Sequence, residues 1–398
     1  MKQMLLGLYG LFVILFFSPT FGEEWEDIVT AAAGQTVYFN AWGGSQPVNA
    51  YIEWAAEKVN EKYKIRVIHV KVTDIGDVVS RVLIEKSAGK DKDGSVDLIW
   101  LNGENFKAMK ENSLLYGPFS RKLPHYALAD IKNKKNLLYD FTVPVDNLES
   151  PWGTAQLVFL YDGRKAAEHP KNMPDLLAFL EKHPGKFTYP AIPEFHGTTF
   201  IKQALMELIE DPEVLNHPVN PADFDAQTRP LWDFLDRLHP LLWRNGKVFP
   251  AGASQMFSLL NDGEIHISLS FNPNAAANAV ESGELPHTVR TYVHSSGTIG
   301  NAHFVAIPFN ASAREGAMVF ADFLLSPQAQ AEKADPKIWG DPTVLDIQRL
   351  SPEDRALFEA IPRPAATLAP EELGRVLPEP HVSWVQALEK AWLKKYNQ

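Results

Sequence analysis

Five short segments of the sequence combine aromatic rings, glycines and uncharged hydrogen-bonding side chains. They are Trp42-Gly43-Gly44-Ser45, Trp100-Leu101-Asn102-Gly103-Glu104-Asn105, Pro151-Trp152-Gly153-Thr154, Phe195-His196-Gly197-Thr198 and Phe271-Asn272-Pro273-Asn274. The chemistry such residues offer is reversible recognition. Glycines let a backbone approach a ligand closely, exposed N–H groups at a following helix start hold polar or negative groups, and aromatic faces stack on flat or cationic ones. Walls of this kind with a few placed polar groups suit a site that must release what it binds. Each segment also has a plain structural reading. Ser45 can cap a tight turn, Glu104 can simply favour the positive start of a helix, Trp152 can be core at a domain junction, and His196 and Thr198 can serve a helix start.

Signatures of catalysis are poor. There is no phosphate-binding Gly-x-x-x-x-Gly-Lys loop, no His-Glu-x-x-His and no Gly-x-Ser-x-Gly elbow. The twelve histidines are scattered singly, so neither a transition-metal site nor any cofactor is expected. The chain has no cysteine, which removes disulfides, thiolate zinc sites, a cysteine nucleophile and a lipid anchor on cysteine. A hydrolase would have to use His196 or Glu104 as base, and no nucleophile is visibly paired with either.

The elements that must position these segments alternate. Thr36–Ala41, Ile65–Val72 and Asp97–Leu101 read as strands. Val48, Ile52, Ala55, Ala56 and Val59 recur at helical spacing behind Pro47, and Gly76–Ala88 and Glu104–Asn112 continue the alternation. Strands alternating with helices predict βαβ units and parallel sheet. A second such region follows, with Gln156–Tyr161 and Glu264–Phe271 as strands. Its helices are Thr199–Glu210 and Phe224–Trp243, the latter broken or kinked by Pro230. Gly300–Phe309 then gives a strand, Ala311–Leu325 a helix, and Val382–Lys395 a final amphipathic helix. In open α/β sheets ligands bind beyond the carboxyl ends of strands, which is where the five segments fall.

Lys2, the uncharged run Met4–Phe17 and the small residues Thr20 and Gly22 form the pattern of a secretory leader cleaved after Gly22. No later stretch is long and apolar enough to span a membrane, so the processed chain of about 375 residues is expected to be soluble, exported to a bacterial periplasm and large enough for two lobes. A net charge of −11 without a basic cluster argues against a nucleic-acid partner. It mildly favours cationic or neutral ligands.

Three stretches carry a family likeness: Asp97-Leu98-Ile99-Trp100 with Glu104–Tyr116, Pro151-Trp152-Gly153-Thr154 with Val158–Asp162, and Gly300–Pro308 followed by Ala317–Leu325 and Ser326-Pro327-Gln328-Ala329-Gln330. Their order resembles the type II extracellular solute-binding proteins of bacterial ABC importers. Phe187–Pro190 leading to His196-Gly197-Thr198-Thr199 is similar to the YnjB-type branch. The resemblance implies an α/β fold of two lobes, each a mixed, mostly parallel sheet flanked by helices, joined by crossover strands near Leu157 and Thr291. The leader would be 1–22, the first lobe 23–156 with a return at 292–325, the second lobe 157–291, and 326–398 a helical segment packing across both. It also implies a monomer that closes on a small-molecule ligand and docks on an ABC permease in the inner membrane. The chain lacks the adjacent tyrosines of ferric-binding relatives, which leaves iron a minor alternative. Trp42, Trp100 and Trp152 suggest a thiamine-like or other organic cation.

Overall fold

The computed structural model describes residues 21–165, 169–369 and 372–396. The expected leader lies outside the described residues except for Phe21 and Gly22, which open a helix running Phe21–Ala32.

The first lobe grows from a parallel core. Strand β1 (Thr36–Trp42) pairs along its whole length with β2 (Arg66–Val72), Thr36 opposite Arg66 and Trp42 opposite Val72. It also pairs through Phe39 and Asn40 with β3 (Leu98–Leu101). The connections are helices, Gln46–Tyr63 and Ile75–Ser87, and a third helix, Gly103–Glu111, follows β3. In the first of these Val48, Tyr51, Ile52, Ala55 and Val59 are buried, the stripe that a 3.6-residue period lays along one face. A run of short 3-10 turns leads to a hairpin of β4 (Tyr139–Asp140) and β5 (Val143–Pro144).

The chain then crosses. Strand β6 (Glu149–Gln156) ends one residue before β7 (Val158–Asp162), so Leu157 alone separates a strand of the first lobe from one of the second. The second lobe pairs β7 with β8 (Ile267–Ser270) and β9 (Val289–Tyr292), both antiparallel to it. Here the expectation of mostly parallel pairing fails. Because β7 enters directly from β6 with no helical crossover to set its direction, it runs against the two strands that helices feed. Return strand β10 (Thr298–Ala306) lies between β3 and β6, antiparallel to both, and takes β11 (Val376–Leu377) as a parallel neighbour. The first lobe's sheet is therefore mixed.

One irregularity matters for the site. His303 faces Gly153 while Phe304 faces Pro151, leaving Trp152 as the extra residue of a bulge on β6. Helix Phe224–Leu238 runs on through Pro230 instead of breaking there and stops five residues short of Trp243. Helix Phe195–Leu208 begins four residues before the expected Thr199, because the Glu194 carboxylate accepts from the N–H groups of His196 and Gly197.

Two apolar cores result, and the C-terminal segment serves both. Ala329, Trp339, Val344, Leu345 and Leu350 belong to the first. Ala366, Trp384, Leu388 and Trp392 belong to the second, the last three from helix Val382–Tyr396. Among the described residues no helix is long and apolar enough to cross a membrane.

Candidate functional site

Two contacts between the lobes stand out among the described residues. At the first, Asn272 and Asn274, just beyond β8, donate to the carbonyls of Trp339 and Gly340 at 3.2 and 2.6 Å, and Asn278 also donates to that of Trp339. The residues that accept are anchored in the first core through Trp339. These three amides latch the second lobe to the first.

The second contact is ionic. Lys202, on helix Phe195–Leu208, is buried and places its ammonium 2.5 Å from Oε2 of the equally buried Glu379. Glu379 Oε1 accepts from Asn301 of β10 at 3.3 Å, tying the pair to the first lobe's return strand. The ammonium lies 5.4 Å from the ring centre of Phe141, in the β4–β5 hairpin of the first lobe, and 5.7 Å from that of Phe195 in the second, within reach of cation–π attraction.

Two more buried carboxyls lie in the first lobe, and one of them, Asp140, is near enough to feel the charge of Glu379. Asp140 Oδ1 accepts the Gly103 N–H at 2.7 Å, at the start of helix Gly103–Glu111. Gly103 is required here: its φ is +54°, and a Cβ would lie 2.7 Å from the Phe141 ring. Burial, reinforced by the charge of Glu379, pushes Asp140 up to about 7 against the lowering pull of the Gly103 N–H. Glu149, the first residue of β6, is fully buried. Burial and Asp140 raise it well above the carboxylate range. Neither oxygen of Glu149, nor Oδ2 of Asp140, has a hydrogen-bond partner among the described residues. Thr198 donates to Glu389 at 2.7 Å, and burial, with Glu104 adding its charge across the junction, raises Glu389.

The sequence-expected residues divide. Phe195, 38% exposed, Thr198 and Glu104 converge on the ionic contact, and Asn272 belongs to the amide latch. His196 instead bonds its own helix cap, Nδ1 to Glu194 at 2.8 Å, with no hydroxyl bonded to it among the described residues. Trp42 is 42% exposed and its ring lies across Gly44, while Gly43 packs on Lys71. Ser45 precedes helix Gln46–Tyr63 without a side-chain cap bond; Asn49 donates to the Gly43 carbonyl at 3.0 Å instead. Asn102 likewise precedes its helix without a cap bond, and Asn105 sits beside Gly76 in its own lobe.

Trp152 is a correction: it is fully buried. The bulge turns it into the first core, where its ring meets those of Trp100 (5.0 Å), Trp339 (5.4 Å), Phe39 and Tyr51 (both 6.2 Å). Trp100, half-buried, belongs to the same cluster, and Thr154 donates its N–H to Pro342. Beside this cluster His303 Nε2 and Asp341 Oδ1 are 2.9 Å apart, and Asp341 Oδ2 pairs at 2.5 Å with the fully buried Lys333. Burial alone would raise Asp341, but Lys333 and His303 hold it low. No group of three or more histidine, aspartate or glutamate side chains is placed to hold a metal ion among the described residues.

A two-lobed α/β molecule with single-strand crossovers has known counterparts. The profile of the bacterial extracellular solute-binding proteins matches residues 54–353, and the protein YnjB of Escherichia coli K12 is 43% identical over 99% of this chain and 98% of its own length. The chain belongs to the bacterial extracellular solute-binding protein family. Solved structures share the fold at low identity. A putative extracellular solute-binding protein from Bordetella parapertussis superposes with a TM-score of 0.65 at 13% identity, over 90% of this chain and 98% of its own. A putative spermidine/putrescine ABC transporter protein from Listeria monocytogenes gives 0.63 at 15%, over 91% and 99%. These are the type II periplasmic binding proteins, and a substrate-binding role follows for this member of the solute-binding family.

Sequence reasoning missed Asp140, Phe141, Glu149, Lys202, Asn301 and Glu379. The one local signal was Lys202, a single charge within Phe200-Ile201-Lys202-Gln203-Ala204-Leu205. A buried lysine needs a partner, and that partner lies 177 residues away.

Proposed function

We propose that the protein is the periplasmic solute-binding component of an ABC importer, that its two lobes close on an organic cation, and that the closed form delivers this cargo to a permease in the inner membrane. The observation that carries the reading is the buried ion pair at the junction, Lys202 against Glu379, with buried Asp140 close enough to feel the charge of Glu379. Buried carboxylates are stabilised by positive charge and N–H donors, and Phe141 and Phe195 add the aromatic faces that cations favour. The stacking role expected of Trp42, Trp100 and Trp152 passes to these two phenylalanines.

The names of structural neighbours do not decide the cargo: one is a spermidine/putrescine transporter protein, another a GABA receptor, and a third is bound to fructose-6-phosphate. Fold likeness carries no ligand chemistry, so the carboxylates carry the reading. The test is a thermal-shift screen of the purified protein against amines, polyamines, choline, thiamine, sugars, amino acids and oxyanions. A ligand that binds only the folded state adds about 2.7 kcal/mol at a hundredfold excess over its dissociation constant. An upward shift confined to cations is expected. A shift with sugars or oxyanions and none with cations overturns the reading.

A further inference from the structure

We propose that Lys202 is a tethered stand-in for the cargo, its ammonium occupying the place that an external alkylammonium group takes, so that binding requires its displacement. The inference rests on the cationic cargo proposed above. Its own observations concern how Lys202 is held.

A lysine ammonium has three donors and no acceptor, and a lysine buried for structural reasons should use them. Lys202 makes one hydrogen bond among the described residues, to Glu379. The fully buried Lys333, by contrast, reaches Asp341 Oδ2 and the carbonyls of Asp341 and Pro342. Asp140 feels the charge of Glu379, and its Oδ2 has no hydrogen-bond partner among the described residues. One tethered ammonium therefore leaves both its own remaining donors and the Asp140 oxygen unused.

The walls also come from both lobes. Phe141 belongs to the first, Phe195 and Lys202 to the second, and Glu379 is bonded to Asn301 of the return strand. Separating the lobes draws Phe141 away from Lys202. The freed side chain, on a flexible four-carbon stem, can then swing into water and leave Glu379 and the two phenyl faces to an incoming amine. When the tether re-enters, it closes the lobes without cargo. A site occupied by its own lysine for nine-tenths of the time binds about tenfold more weakly than the same site without it, since apparent affinity scales with the competent fraction.

The test is isothermal titration of the full chain and its Lys202→Met and Glu379→Gln variants with n-butylammonium, putrescine and, as an anionic control, phosphate. The expected result is that Lys202→Met binds the amines about tenfold or more tightly than the parent, while Glu379→Gln weakens them. Amine binding by the parent that is unchanged or weaker in Lys202→Met overturns the stand-in role and leaves the cationic cargo standing. Phosphate binding that Lys202→Met abolishes, or silence of parent and variant alike toward amines, overturns both. Should Lys202→Met fail to fold, the unmodified protein answers by amine-acylation footprinting with tetramethylammonium, which does not consume the reagent. Labelling of Lys202 that rises on binding supports displacement; labelling that falls or stays level overturns it.

Discussion

Replacing Trp152 with alanine should unfold the first lobe far more readily while leaving the junction's carboxylates in place. The indole is fully buried and touches Trp100, Trp339, Phe39, Tyr51 and His303 at ring-centre distances from 5.0 to 6.5 Å. Truncating an aromatic side chain in such a core costs about 3–5 kcal/mol, part of it from aromatic pairs worth about 0.5–1.5 kcal/mol each beyond area burial. Phenylalanine should behave differently. The indole Nε1 of Trp152 has no hydrogen-bond partner among the described residues, so removing it breaks no bond and relieves a buried donor whose desolvation costs about 1–3 kcal/mol. That gain offsets part of the lost volume, and Trp152→Phe should cost less than half of what alanine does. The assay is urea denaturation followed by circular dichroism, comparing midpoints at constant slope and treating the transition of the first lobe by itself, because two cores need not unfold together. A loss under about 1 kcal/mol for alanine, or equal damage from phenylalanine, would show that Trp152 does not hold this core.

Other predictions concern the junction and its charges. Changing Asn272 and Asn278 together to alanine removes two of the amide latches to the carbonyl of Trp339. At about 1 kcal/mol per neutral hydrogen bond, the ratio of closed to open form falls roughly thirtyfold, and small-angle scattering of the unliganded protein should report a larger radius of gyration; an unchanged radius refutes the latch. Asp140 is raised from an ordinary value of 3.8 to about 7. Between those limits the folded state holds a proton that the unfolded state releases, so its contribution to stability is fully present below pH ~4 and falls by on the order of 1 kcal/mol per pH unit as pH rises toward 7. Asp140→Asn should flatten this slope in thermal melts taken across that window, and a slope that survives assigns it to another group. Lys333→Met should cost about 3–5 kcal/mol by stranding buried Asp341, whereas Lys333→Met with Asp341→Leu should recover most of the loss; a double variant as unstable as the single one refutes pairing as the main role.

The alternation of strands and helices was legible because it is local. Thr36–Ala41, Ile65–Val72 and Gly76–Ala88 each stand within one or two residues of the observed elements, since the periods that reveal them are set by neighbours in sequence. Direction of pairing is not local: nothing in Val158–Asp162 records that it continues a strand from the other lobe. The site was half legible for the same reason. Loops rich in glycine and aromatic residues announce themselves, and Phe195, Thr198, Glu104 and Asn272 did reach the lobe contacts. Trp152 misled because a one-residue bulge decides which face a strand residue takes. Asp140, Glu149 and Glu379 are ordinary acidic residues in the sequence, and only the fold that buries each of them makes them unusual.

The C-terminal segment sets an order of events in time. Trp384, Leu388 and Trp392 complete the second core, and Trp392 donates to the buried hydroxyl of Tyr189 at 2.9 Å. A lobe begun near residue 157 thus stays open until the last helix arrives, more than two hundred residues later. Contacts of such sequence separation form slowly, because the loop between them must be ordered first. An emerging chain therefore cannot finish its second lobe until helix Val382–Tyr396 has been made.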